Sequence, residues 1–158
     1  MSVEYRKGDL FAQTDVGAIG HGVNISGSMS GGIAVPFKNK FPDMHQEYVE
    51  LCSSGDLKLG DVFVYHDDST GKTVFNIASQ QMPGADASLE AVETGLRKSL
   101  ELALSLGIDS LAIPRIGCGI GGLNWADDSG RASEGTVKEI VERVAAASFV
   151  RLVVVSLD

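Results

Sequence analysis

Segments with the two-residue period of a strand alternate along this chain with segments of helical period, and that alternation limits the fold more than any single motif. Residues 3–6 and 16–23 read as strands, the second ending Ala18-Ile19-Gly20-His21-Gly22-Val23. Residues 31–40 read as a short helix stopped near Pro42, and residues 44–52 as another closed by Gly55. Two β-branched and aromatic runs, 62–65 and 73–78, flank Asp67-Asp68-Ser69-Thr70-Gly71, which predicts a hairpin. Ser88 caps a long helix in which Leu89, Val92, Leu96, Leu100 and Ala103 recur at three- and four-residue spacing up to the stop at Gly107. A buried strand over 110–114, a helix over 133–147 and an apolar strand over 150–157 follow. Strands separated by helices fold as an α/β protein, here a three-layer α/β/α arrangement with a mixed, mostly parallel central sheet covered on both faces. The 158 residues suffice for one domain with a full core and are too few for two, so residues 1–158 are expected to form a single domain.

Ligands of such sheets sit beyond the carboxyl ends of the strands, and two glycine-rich segments lie there. They are Ser26-Gly27-Ser28-Met29-Ser30-Gly31-Gly32-Ile33-Ala34 and Pro114-Arg115-Ile116-Gly117-Cys118-Gly119-Ile120-Gly121-Gly122, each after a strand-like run and before a helix-like one. Glycine lets the backbone approach a ligand closely, and the start of a helix offers free N–H groups and a positive dipole end to an anion. Two such loops predict a diphosphate held from both sides. The second contains G-x-G-x-x-G, but only one helix and one strand follow it, which leaves no room for a Rossmann sheet. The first lacks the lysine and hydroxyl of a P-loop.

Composition narrows the ligand. A net charge of −8 disfavours broad attraction to a nucleic-acid backbone, whereas backbone amides bind a small anion without net positive charge. Cys52 and Cys118 form neither a disulfide framework nor a zinc spacing, and no metal is expected. No apolar run approaches a membrane span, and the start Met1-Ser2-Val3-Glu4-Tyr5-Arg6 lacks the apolar core of a signal peptide, so a cytoplasmic location is expected by default. A monomer is expected as its state.

Together, Gly8-Asp9-Leu10-Phe11 after the first strand, His21-Gly22-Val23-Asn24, Met29-Ser30-Gly31-Gly32-Ile33-Ala34 with Phe37-Lys38, and Pro114 to Ile120 followed by Leu123 and Trp125 carry a resemblance. In their order and spacing they resemble the ADP-ribose-binding macrodomain family, in the branch of glycohydrolases that release terminal ADP-ribose from protein and of phosphatases that act on ADP-ribose 1''-phosphate. The resemblance implies ADP-ribose, or a macromolecule carrying it, as the partner, with nucleic acid only as a modified substrate and no cofactor. It implies that Asp9 and the backbone at Leu10 face the adenine and that Asn24 lies near the distal ribose. It further implies that Ser30, Gly31, Gly32, Ile33 and Ala34, with Ser79 and Gly117, Cys118, Gly119, Ile120 and Gly121, wrap the diphosphate and distal ribose.

Hydrolases of that branch use a lysine on the loop after the fifth strand and an acidic residue in the second glycine loop. Here Ser79-Gln80-Gln81 and Gly121 stand at those places. Neither glutamine nor glycine can attack an anomeric carbon or transfer a proton, so a covalent lysine mechanism is not implied. Hydrolysis through an oriented water remains, with His21, Asn24, Ser30 and Gln80 as candidate catalytic residues. The alternatives are a non-catalytic reader of ADP-ribose and the phosphatase. A lone histidine on a strand is more often a core residue, and Cys118 reads as a small packing residue of a tight loop. Phe37 and Trp125 read as core beside the loops, Lys38 and Lys40 as a solvated helix face, and His45 and His66 as surface positions.

Overall fold

Six strands form one sheet in the order β1-β6-β5-β2-β4-β3, in a computed structural model that describes residues 1–157. The strands are β1 (Glu4–Lys7), β2 (Ala18–Asn24), β3 (Val62–Asp67), β4 (Lys72–Gln80), β5 (Ser110–Ile113) and β6 (Arg151–Ser156). All neighbours run parallel except β3 and β4, which form the hairpin expected from the turn at 67–71. The helices are α1 (Ala34–Lys40), α2 (Pro42–Ser54), α3 (Leu89–Ser105) and α4 (Val137–Ala146).

Alternate strand residues feed two cores, one on each face. Phe75, Ile77, Leu111, Ile113, Leu152 and Val154 pack with Leu96 and Leu100 of α3 and Val141 of α4. Ile19, Val23, Val74, Ala78, Val153 and Val155 pack on the opposite face with Phe37, Met44 and Tyr48 of α1 and α2. This is the period of two read from the sequence, with β4, β5 and β6 almost wholly buried as central strands require.

Two boundaries differ from the sequence reading in ways that shape the site. The first glycine loop does not enter its helix at residue 31, because Gly32 stands at φ +59°, outside the helical region, and α1 begins at Ala34. The helix expected after the second loop, over 133–147, starts four residues late. Residues 123–136 intervene, and α4 begins only at Val137, where Thr136 Oγ1 accepts from Glu139 N at 3.3 Å. Pro42, expected as a stop for α1, also opens α2 as its first residue. A 3-10 turn over Leu10–Ala12, absent from the sequence reading, is capped by the Asp9 carboxylate accepting from Phe11 N at 2.9 Å.

Candidate functional site

The two glycine loops face each other over the carboxyl ends of the parallel strands. Ile120 of the second loop reaches across to the first. A Cβ added to Gly31 would stand 3.0 Å from Ile120 Cδ1, and one added to Gly32 would stand 3.3 Å from it. Two adjoining cavities meet at these loops and form a cleft. One part, of about 380 Å³, is lined by Asn24, Ser30, Gly31, Gly32, Ile33, Ala34, Ser79, Gln80, Gly117, Gly119, Ile120 and Gly121. The other, of about 970 Å³, is lined by Asp9, Leu10, Cys118 and Trp125, among others. Gly32, Ile33 and Gly119 border both parts. The residues picked out from sequence are therefore brought together, His21 excepted.

Local devices hold this shape. The β2–β4 register slips between Val23 and Asn24, so that Ala78 and then Gln80 pair with consecutive residues and Ser79 is the extra one. The slip sets Ser79 against the cleft floor, where a Cβ on Gly22 would meet its Oγ at 2.6 Å. Asn24 organises the start of the first loop. Its Nδ2 donates to Ser28 O at 2.8 Å, and its Oδ1 accepts from Ser26 Oγ and Tyr48 Oη, each at 2.8 Å. Its acceptor side is thus committed to the protein, and a cleft ligand meets mainly its amide donor. In the wider part, Lys40 lies over Phe11, 5.0 Å from the ring centre, and the Arg115 guanidinium lies 5.3 Å from that of Trp125.

The comparison with known families turns on residues 21–130, which match the macro domain model. The chain belongs to the macro domain family. Among its relatives, the DNA ADP-ribosyl glycohydrolase of Thermus aquaticus is 32% identical over 134 residues, 84% of this chain and 37% of that protein. This macrodomain thus spans little more than a third of that relative's length. The ADP-ribose glycohydrolase OARD1 of Bos taurus is 33% identical over 159 residues, covering 98% of this chain and 91% of that protein. In three dimensions, the macrodomain of Mycobacterium tuberculosis DarG superposes with a TM-score of 0.84 at 27% identity, over 98% of this chain and 97% of that one.

His21 departs from the sequence expectation for this macrodomain. It is fully buried and borders neither part of the cleft. It lies on the α1 and α2 face of β2, stacked on Phe37 with ring centres 3.7 Å apart. Asn76 Nδ2 donates to Phe63 O and Met44 Sδ, which leaves Asn76 Oδ1 as the acceptor, 2.7 Å from His21 Nε2. The imidazole is therefore neutral with its proton on Nε2, and its Nδ1 has no hydrogen-bond partner. Burial holds its pKa down to about 4. A ring sealed in the core cannot exchange a proton with a ligand in the cleft, and His21 takes no part in the chemistry considered below.

Gln80 borders the cleft at the place the resemblance gives to lysine. Its Nε2 donates to Met82 O at 2.7 Å and Gly84 O at 2.9 Å. Both neighbours accept, so the amide nitrogen must face them, and the fixed orientation leaves Oε1 as the group turned away from that loop. Cys118 borders the wider part, and burial raises its thiol to about 11, which keeps it protonated and poorly nucleophilic at neutral pH.

Gly121 is more than a missing acid. A Cβ there would stand 2.7 Å from Gly117 O and 3.0 Å from Ala87 Cβ, so the loop is closed around a glycine. Introducing the family's acid as Gly121→Asp should lower stability by about 1–3 kcal/mol in urea unfolding, since backbone must move. Wild-type stability in that variant would contradict the packing described.

The sequence reading missed Pro83 and Gly84, which border the narrow part, and Asn124, which borders the wide one. The Pro-Gly pair was a readable signal, because a turn dipeptide directly after a parallel strand lies at the ligand end of the sheet. Nothing in the local sequence marks Asn124. Among the described residues no helix is long and apolar enough to cross a membrane.

Proposed function

We propose that this macrodomain holds ADP-ribose along the cleft and hydrolyses the bond between the distal ribose and a macromolecule that carries it, without a covalent lysine intermediate. The observation that carries the reading is the pair of adjoining cavities that meet at Gly32, Ile33 and Gly119, one bordered by Asp9 and the other by Gln80. Asp9 and the backbone at Leu10 receive the adenine. The backbone amides of 30–34 and 117–121 receive the diphosphate, and Asn24, Ser30, Ser79 and Gln80 surround the distal ribose. Relatives named as glycohydrolases support the hydrolase over the reader.

Glutamine at 80 and glycine at 121 leave orientation and electrostatics to do the work. Gln80 Oε1, fixed by the two amide hydrogen bonds, accepts a hydrogen bond from a water placed against the anomeric carbon and orients it. The water oxygen bonds that carbon, the bond to the carried group breaks, and the water proton leaves with that group or to solvent. On this reading the chain acts as one domain, as a monomer in the cytoplasm.

The test is release of ADP-ribose from ADP-ribosylated protein and ADP-ribosylated DNA, followed at saturating substrate. Gln80→Ala should lower kcat by about tenfold to a hundredfold, a larger effect than on the dissociation constant for ADP-ribose. Equal kcat in that variant would remove Gln80 from the reaction. ADP-ribose binding with no release from either substrate by the wild type would make the protein a reader, the reading that Gln80 and Gly121 themselves favour.

A further inference from the structure

We propose that the free edge of β3 is a docking site for an extended, basic segment of a partner protein, which adds to the sheet as a further strand. The inference is independent of how the cleft is read. The sheet has two edges, and they are built differently. At one, β1 is four residues long with charge at Glu4, Arg6 and Lys7. Arg6 pairs with Asp15 at 2.8 Å and with Glu4, and Arg151 reaches Glu4 at 3.3 Å. Short, charged edges of this kind resist pairing. At the other, β3 reads Val62-Phe63-Val64-Tyr65-His66-Asp67, six residues with no proline, lysine or bulge within the strand.

Its backbone is aligned for a partner. Ala78 N donates to Asp61 O at 2.9 Å, and from there the antiparallel ladder alternates, so that Phe63, Tyr65 and Asp67 face β4. The N–H and C=O groups of Val62, Val64 and His66 consequently point away from the sheet.

The flank of this edge is a groove of about 630 Å³ between the end of α2 and α3. Its apolar wall includes Leu57, Phe63, Val64 and Leu102. Its charge comes from Asp56, Asp61 and Glu101 against Lys98 alone, whose ammonium already pairs with Asp61 at 3.2 Å. Three carboxylates against one ammonium favour a strand that alternates apolar and cationic side chains. They disfavour a second copy of this chain, which brings the same acidic groove and a net charge of −8.

The probe is a blocked seven-residue peptide alternating lysine and valine, titrated into the whole chain and followed by amide NMR and hydrogen exchange. Exchange at the amides of Val62, Val64 and His66 should slow at least about tenfold in the complex, because those N–H groups gain acceptors. A peptide N-methylated at alternate residues should bind at least about tenfold more weakly, since it cannot complete the ladder, and a glutamate–valine peptide likewise. Val64→Pro removes an outward N–H without breaking the ladder to β4, and should abolish peptide binding while leaving affinity for ADP-ribose unchanged. Glu101→Lys, which leaves the strand untouched, should weaken binding several-fold. No protection at the three amides, equal binding of the N-methylated or glutamate peptide, or self-association of the chain that Val64→Pro abolishes would each overturn the proposal.

Discussion

Gly32→Glu is expected to weaken ADP-ribose binding by at least about 100-fold, the ratio that a loss of about 3 kcal/mol produces. Gly32 borders both parts of the cleft under the Ile120 bridge, where the diphosphate is placed in our reading. Three effects act in the same direction. A side chain there enters space that the ligand needs. Its carboxylate faces the phosphates. At φ +59° any L-residue is strained by about 1–2 kcal/mol, which displaces the loop amides. Displacement of a fluorescent ADP-ribose analogue from the variant checks it, with far-UV circular dichroism to establish that the sheet is intact. Unchanged affinity would mean that the diphosphate lies elsewhere.

The second large effect concerns stability. His21 is neutral in the folded protein down to about pH 4, whereas an unfolded chain protonates it near 6.5. Between those values the unfolded state binds the extra proton, so stability falls as pH falls from about 6.5 and this contribution levels out below about 4. Its full size is about 3 kcal/mol, from a fully buried ring with nothing to screen it. His21→Gln removes the titration and keeps an amide that can donate toward Asn76. Urea unfolding from pH 7 to pH 3.5 should show the wild type losing about 3 kcal/mol more than the variant. The exposed carboxylates titrate in both and cancel in the difference. Parallel curves would mean that the imidazole is protonated in the native protein.

His21 also marks the limit of what the sequence makes legible. The period of two in β2 places Ile19, His21 and Val23 on one face, but periodicity does not say whether that face looks into the cleft or under a helix. The answer depends on Phe37 of α1 stacking on the ring and on Asn76 of β4 meeting it from the neighbouring strand, both tertiary facts. The β3–β4 hairpin and the capping of α3 by Ser88 follow from local chemistry and were readable, whereas the order of the strands, with β6 between β1 and β5, is a tertiary fact that no local pattern carries. The glycine loops were readable as loops, but their mutual approach through Ile120 was not, because a bridge between segments some ninety residues apart leaves no local trace. The helix expected over 133–147 is present as α4, but it starts four residues late, at Val137. Residues 123–136 run through Asp127-Asp128-Ser129-Gly130, where Asp127 Oδ1 accepts from Ser129 N at 3.0 Å and Arg131 N at 2.9 Å in a turn that competes with helix.

Whether the two loops form one site for ADP-ribose is decided by calorimetric titration of the wild-type chain with that ligand. A single-site isotherm with one ADP-ribose per chain, lost when Gly32 is replaced by glutamate, is expected. Absence of binding by the wild type, or a stoichiometry and affinity indifferent to Gly32, would contradict it.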